Sequence, residues 1–131
     1  MMRLLLDTHV WLWLLDQPKR IAEPVFRQID EASELLLSAA SIWELAIKAQ
    51  LGKLGAKSTV ADLRNEILHE MFATELAITA SHALVAAQLP MIHRDPFDRM
   101  LIAQAQFEGV ALVTADADVV RYGGDILWAG N

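Results

Sequence analysis

Along this chain, short apolar runs alternate with longer stretches whose apolar positions recur at helical intervals. Leu4-Leu5-Leu6, Leu35-Leu36-Leu37, Leu76-Ala77-Ile78 and Val110-Ala111-Leu112-Val113 are apolar at consecutive positions, so both faces of an extended segment would be hydrophobic. Parallel strands covered on two sides read this way. The run at 110–113 is the clearest, opened by Gly109 and β-branched at both ends. By propensity alone the two leucine runs suit a helix as well. A last short run, Ile126-Leu127-Trp128, fits an edge strand.

Between the runs lie helical patterns. Residues 9–15 are apolar nearly all round, and one more helix lies within 18–32. Ser41-Ile42-Trp43-Glu44 opens another with capping-box spacing, its apolar positions Ile42, Leu45, Ala46 and Ala49 share a face, and Gly52 stands where it should stop. Residues 59–71 and 79–89 predict two further helices. Asp95-Pro96-Phe97-Asp98 begins the next, with Asp95 as N-cap, Pro96 at the first helical position, and an apolar face through Phe97, Met100, Leu101 and Ala105 up to Gly109. Strands alternating with helices predict an α/β domain with a mainly parallel sheet of four to five strands flanked by helices.

Composition narrows the class. The 131 residues suit one domain spanning 1–131, and 54% hydrophobic against 21% charged residues excludes a disordered chain. No cysteine is present, which removes disulfides, thiolate metal sites and cysteine nucleophiles. A net charge of −6 argues against coating nucleic acid by phosphate neutralisation, though not against an enzyme that touches it locally. No run approaches the ~20 apolar residues of a membrane span. The leading Leu4–Leu6 run breaks at Asp7 with no small-residue cleavage site after it, so the expected location is cytoplasmic.

In an open parallel sheet, ligands gather beyond the carboxyl ends of the strands. Asp7 directly follows the first predicted strand, Glu44 lies in the first turn of the helix after the second, Asp98 opens the helix before the strand at 110–113, and Asp116 follows that strand. Each acid alone has an ordinary explanation: Asp7 as a cap, Glu44 as capping-box acid, Asp98 as macrodipole partner, Asp116 as a turn residue. Four acids delivered to one rim call for a common reason. Carboxylates at close range repel, and a divalent cation offsets that repulsion. Oxygen-only donors favour Mg²⁺ or Mn²⁺ over zinc, and an ion so held activates water at a phosphodiester.

At these residues the chain resembles the PIN domain, and within it the single-domain toxins of the VapC type. The resemblance is carried by Leu6-Asp7-Thr8-His9-Val10-Trp11, Ser41-Ile42-Trp43-Glu44-Leu45, the block from His93 to Ala105, and Leu112-Val113-Thr114-Ala115-Asp116. Asp95-Pro96-Phe97-Asp98-Arg99 is its most specific piece. It implies a three-layer PIN-like sandwich, a metal-dependent endoribonuclease acting on RNA, and a cognate antitoxin that silences it. The family's acids fall on Asp7, Glu44, Asp98 and Asp116, with Thr114 as hydroxyl partner. On this reading Asp7, Asp98 and Asp116 ligate the ion directly or through water, and Glu44 positions a water or a second ion.

The remaining polar residues are read more plainly. His9 and His93 lie near the rim, but an oxygen-ligated metal generates its own hydroxide, so neither is assigned a general-base role. His69 and His82 read as surface or half-buried helix residues, and Asp95 as an N-cap. Lys48, Lys53 and Lys57, with Arg94 and Arg99, are candidate RNA contacts; helix-end complementation accounts for Lys48 and Lys53 equally well. Trp11 and Trp13 sit in the all-apolar helix, which predicts an outer face left for an antitoxin segment or for a homodimer, with residues 60–71 adding to it. Two other functions compete. A phosphatase or signalling receiver has the same layers, but His9 stands where a dehalogenase-type phosphatase wants a second Asp, and no lysine ends a late strand. A non-catalytic module would use the acidic pocket to capture a partner's arginine.

Overall fold

A computed structural model describes residues 2–54 and 59–130. Five strands form one sheet: β1 (Arg3–Leu6), β2 (Glu34–Ser38), β3 (Thr74–Leu76), β4 (Ala111–Thr114) and β5 (Ile126–Trp128). They lie in the order β3-β2-β1-β4-β5, and every pairing is parallel. The chain runs outward from β1 through β2 to β3, then crosses back to lay β4 on the other side of β1. The strand order therefore reverses between β1 and β4, and the crevice that parallel sheets use for ligands opens there.

The helices among the described residues are α1 (Thr8–Asp16), α2 (Glu23–Asp30), α3 (Ala39–Gln50), α4 (Val60–Glu70), α5 (Ala80–Gln88), α6 (Pro96–Glu108) and the short α7 (Ala117–Val120), with one 3₁₀ turn at Pro18–Arg20. Side chains alternate across the sheet as a period of two requires. Leu4, Leu6, Leu37, Ala111 and Val113 join Val10, Trp11, Val25, Ile29 and Ile67 of α1, α2 and α4 on one face. Leu5, Leu36 and Leu112 join Leu101, Ile102 and Ala105 of α6 and Val119 of α7 on the other. The result is the expected three-layer arrangement, and the leucine runs at 4–6 and 35–37 lie in strands because both faces are covered.

Several boundaries differ from the sequence reading. The third strand is Thr74–Leu76 rather than 76–78. Leu76 packs on the core, whereas the carbonyl of Ala77 accepts from Gln104 Nε2 at 3.3 Å and draws the chain off the sheet edge, leaving Ile78 exposed. Helix α3 starts earlier than expected. Ser38, at the end of β2, is its N-cap and accepts from the Ala40 N–H at 3.0 Å, so Ser41 lies inside the helix and Glu44 is not a capping-box acid. Asp95 and Pro96 cap α6 as expected, the Asp95 carboxylate accepting from Phe97 N and Asp98 N. Gly109 ends α6 in the left-handed region at φ 67° rather than opening β4. The outer face of α1 is half-buried rather than open: Trp11 is fully enclosed, and Arg20 lies 4.4 Å over the Trp13 ring.

His82, expected near the surface, is buried in a polar chain. Ser38 Oγ donates to Gln104 Oε1 at 2.5 Å, Gln104 Nε2 lies 3.4 Å from His82 Nδ1, and His82 Nε2 lies 2.9 Å from Glu108 Oε2. The same Nδ1 accepts from Thr79 N–H at 3.0 Å, which puts the ring proton on Nε2 facing Glu108. This chain fastens α5 and α6 to the end of β2. Replacing Gln104 by Ala would take the partners from Ser38 Oγ and the Ala77 carbonyl and open a small cavity. We expect a loss of about 2–3 kcal/mol in urea unfolding; a change under 0.5 kcal/mol would contradict the role given to Gln104.

Candidate acidic metal site

The acid at the end of β1 is enclosed. Asp7 is 2% exposed, and its carboxylate accepts three hydrogen bonds: from Val10 N–H at 3.0 Å, Ala115 N–H at 3.1 Å and Thr114 Oγ1 at 2.5 Å. The first makes Asp7 the N-cap of α1; the other two tie it to the end of β4 across the switch point. Burial pushes its carboxyl above the usual range, against those hydrogen bonds and the nearby His9. Thr114 serves twice, donating to Asp7 and accepting from Asp116 N–H at 3.0 Å.

Glu44 is brought in from α3. Its Oε1 accepts from Thr8 Oγ1 at 2.6 Å, Thr8 Oγ1 lies 3.0 Å from Ser41 Oγ, and Lys48 Nζ stands 3.6 Å from the other carboxylate oxygen. Thr8, the residue after Asp7, thereby links the ends of β1 and α3. Asp98 comes from the first turn of α6 and Asp116 from the N-cap of α7.

The four acids meet electrostatically at Asp98. Burial, then the charges of Asp95, Asp7, Glu44 and Asp116, push its carboxyl up to about 7. A carboxyl half-protonated at neutral pH, ringed by four others, is a site short of positive charge.

His93 supplies part of that charge, and the sequence reading set it aside. Its Nε2 lies 2.9 Å from Asp98 Oδ2 and 3.1 Å from Asp116 Oδ2. Burial lowers its basicity, but the hydrogen bond to Asp116 and the charges of Asp98 and Asp116 outweigh that and raise it. Asp116 in turn is held low: burial opposes ionisation, and the Asp118 N–H, His93 and Val119 N–H together favour it. The ligand atoms of His93, Asp98 and Asp116 all lie within 4.8 Å of one another. His93 is placed by the loop before α6: its N–H donates to Tyr122 Oη at 2.9 Å, and Tyr122 Oη donates to Pro90 O at 2.9 Å. Its position two residues before the N-cap Asp95 was the available signal. His9 is exposed, and no contact brings it into this cluster among the described residues.

The basic residues divide. Arg99 is committed elsewhere, donating to Pro90 O at 3.0 Å, Tyr122 Oη at 3.2 Å, Ala86 O at 2.9 Å and Leu89 O at 3.2 Å. It straps the α5–α6 connection, which corrects its reading as an RNA contact. Lys48 is paired with Glu44. Arg94 and Lys53 are exposed, and Lys57 lies outside the described residues.

Two buried and two half-buried carboxylates from four elements, gathered where a parallel sheet reverses its strand order, define an α/β domain with an acidic site at its switch point. The chain matches the family model of the PIN domain over residues 4–125, and it belongs to that family. It is 32% identical over 117 residues, 88% of each chain, to ribonuclease VapC22 of Mycobacterium tuberculosis (strain ATCC 25618 / H37Rv). Its fold is similar to that of the crystal structure of VapBC2 from Rickettsia felis bound to a promoter DNA fragment, with a TM-score of 0.69 and 16% identity over 96% of this chain and 97% of that one. It is similar also to FitAcB from Neisseria gonorrhoeae, with a TM-score of 0.67 and 18% identity over 95% and 96% of the two chains.

The acid cluster makes stability depend on pH in a definite direction. The Asp98 carboxyl titrates near 4 in an unfolded chain and about 7 in the fold, so the native state holds an extra proton between those values. Stability of the metal-free protein therefore falls as pH rises from about 4 to about 7. His93, also raised, has the same sign: its stabilising charge is lost as pH climbs through its folded value. In chelator, melting temperatures should decline from pH 5 to pH 8. Asp98→Asn should flatten that decline and melt higher than the parent at pH 8. An unchanged slope would show that Asp98 is not the strained acid.

Proposed function

We propose that this chain is a metal-dependent endoribonuclease, the toxin of a toxin–antitoxin pair. The observation that carries the reading is the convergence of Asp7, Glu44, Asp98 and Asp116 on one partly buried rim, with Asp98 driven to about 7 by burial and by its neighbours' charges. Like charges at close range without a counter-charge are costly, so the donor set fits a divalent cation. The donors are chiefly carboxylate oxygens, which suits Mg²⁺ or Mn²⁺. Asp7, Asp98 and Asp116 would hold the ion directly or through water, and Glu44 a water or a second ion. When bound, the ion supplies an activated water and a clamp on the phosphodiester oxygens.

The chain's own residues prepare that chemistry. Thr114 and the Ala115 N–H aim the Asp7 carboxylate. Thr8 does the same for Glu44. His93 Nε2 stands between Asp98 and Asp116, where it holds the two carboxylates together in the metal-free protein. The relative named a ribonuclease supports RNA as substrate. Nothing favours the phosphatase, receiver or arginine-capture readings over it.

Solved relatives described as VapBC and toxin–antitoxin complexes support an antitoxin partner. The earlier expectation of a segment along Trp11 and Trp13 is replaced, because Trp11 is enclosed and Arg20 covers Trp13. An apolar groove of about 330 Å³ among Leu14, Phe26, Ile29, Leu35, Met71 and Phe72, with Asp30 and Glu70 in its lining, suits an amphipathic segment better. Exposed Leu84, Met91 and Phe107 support the homodimer; light scattering at high micromolar concentration should give twice the chain mass, and a monomer there would refute it.

Asp7→Asn tests the site. Asn still caps α1 through its side-chain oxygen, while the oxygen that accepts from Thr114 and Ala115 becomes an amide and the charge is lost. Cleavage of single-stranded RNA in millimolar Mg²⁺ or Mn²⁺ should fall at least 10²-fold, with circular dichroism unchanged. Wild-type turnover by this variant, or equal turnover of the parent in chelator, would overturn the reading.

A further inference from the structure

A second concavity adjoins the acidic site on its β5 side. It encloses about 540 Å³ and is lined by Trp13, Lys19, Arg20, Ala115, Trp128 and Gly130. Ala115 is the shared wall, since its N–H donates to Asp7 while its residue lines the cleft. Trp128 pairs in register with Thr114, the residue that donates to Asp7, so the indole stands one strand away from the site.

The cleft is built rather than incidental. Trp128 is 45% exposed, yet its ring is seated on the main chain: a Cβ added to Gly130 would come within 3.0 Å of Cε2, Cζ2 and Nε1 of the indole. One face of the ring is thus taken up by Gly130, which fixes the indole beside the opening. The opposite wall is anchored to the same segment. Ile21 forms an antiparallel bridge with Gly130, Ala22 N–H donates to Ala129 O at 2.8 Å, and Ala129 N–H donates to Thr114 O at 2.8 Å. The 3₁₀ turn carrying Lys19 and Arg20 is therefore held at a fixed distance from Trp128. Arg20 is exposed and sits over the Trp13 ring, with Nη1 donating to Gln17 Oε1 at 3.4 Å, an arrangement that orders the guanidinium and leaves its other edge donors for an anion.

We propose that this cleft binds one nucleotide of single-stranded RNA next to the scissile phosphate, the base stacking on Trp128 and its phosphate meeting Arg20. The proposal rests on the ribonuclease reading and extends it to the substrate's path. A cation opposite an ordered indole is the means by which single-stranded nucleic acid is gripped without sequence readout. A chain of net charge −6 has little other attraction for a polyanion. Of the basic residues flanking the rim, Arg99 is occupied by main-chain carbonyls and Lys48 by Glu44, while Arg94 and Lys53 are exposed and add to the attraction. The base's uncharged face and one local cationic turn supply what the overall charge withholds.

Three variants test it: Arg20→Gln, Trp128→Leu and Trp128→Phe, each checked for an unchanged melting curve. Cleavage of a single-stranded RNA decamer in Mn²⁺ is read as KM against kcat. Trp128→Leu should raise KM about tenfold with kcat within about twofold, Trp128→Phe should recover most of the loss, and Arg20→Gln should raise KM several-fold. Binding is read separately in the cleavage-silent Asp98→Asn background with Mn²⁺, using the decamer and a decamer of the same backbone without bases. Trp128→Leu should weaken the first about tenfold and leave the second unchanged. Arg20→Gln should weaken both and reduce the slope of log affinity against log salt by about 0.7. Equal losses on both decamers for Trp128→Leu, unchanged KM, or no base-dependent binding would overturn the proposal. A Trp128→Leu protein that changes oligomeric state while keeping RNA affinity would assign the cleft to a protein contact instead. Cleavage with unaltered KM in all three variants sinks the cleft and keeps the nuclease. Trp128-dependent binding without cleavage by the parent sinks the nuclease and keeps the cleft.

Discussion

The structure turns on one buried carboxylate. Asp7 is enclosed at the end of the central strand and is kept there by the Val10 N–H, the Ala115 N–H and the Thr114 hydroxyl. Burying a charge is costly unless hydrogen bonds satisfy it. Those three donors come from α1 and from the end of β4, so satisfying Asp7 requires that β1 and β4 be paired and α1 begun. Folding and site assembly are therefore one event at this position. The other acids are added around it by caps and first turns, Asp98 after Asp95 and Asp116 at the start of α7.

Around that acid the fold spends its polar groups on holding loops in place. Arg99 and Tyr122 strap the connection between α5 and α6, and the strap sets the main chain of His93. The Ser38–Gln104–His82–Glu108 chain ties the end of β2 to α5 and α6. These groups touch no reacting atom. Their part is to keep four backbone ends in register while like charges push them apart, which is why the supports around an active site need to be as ordered as the site itself.

Much of this was legible in the sequence because its signals are local. Apolar runs marked β1, β2, β4 and β5, and Asp95-Pro96 marked the start of α6 within a residue. The four acids were legible because strand ends and helix starts lie side by side in any parallel α/β sheet. What escaped was tertiary. Ser38 displaced Ser41 as cap because the end of β2 passes directly into α3. The edge strand β3 moved by two residues because Gln104, from a distant helix, captures Ala77. His82 and His93 look alike in sequence, yet partners 26 residues away bury the one and partners on two elements draw the other into the acid cluster. No periodicity records such choices.

The bond between Thr114 and Asp7 spans 107 positions of the chain. During synthesis the first strand and its acid leave the ribosome well before β4, Thr114 and Asp116. Until then β1 lacks a neighbour on one side and Asp7 lacks two of its three donors. A nascent or truncated chain that stops short of β4 is thus without the acidic site altogether. The topology delays competence until β4 has been made, so the cell meets the finished site only when β1 and β4 are both present to carry it.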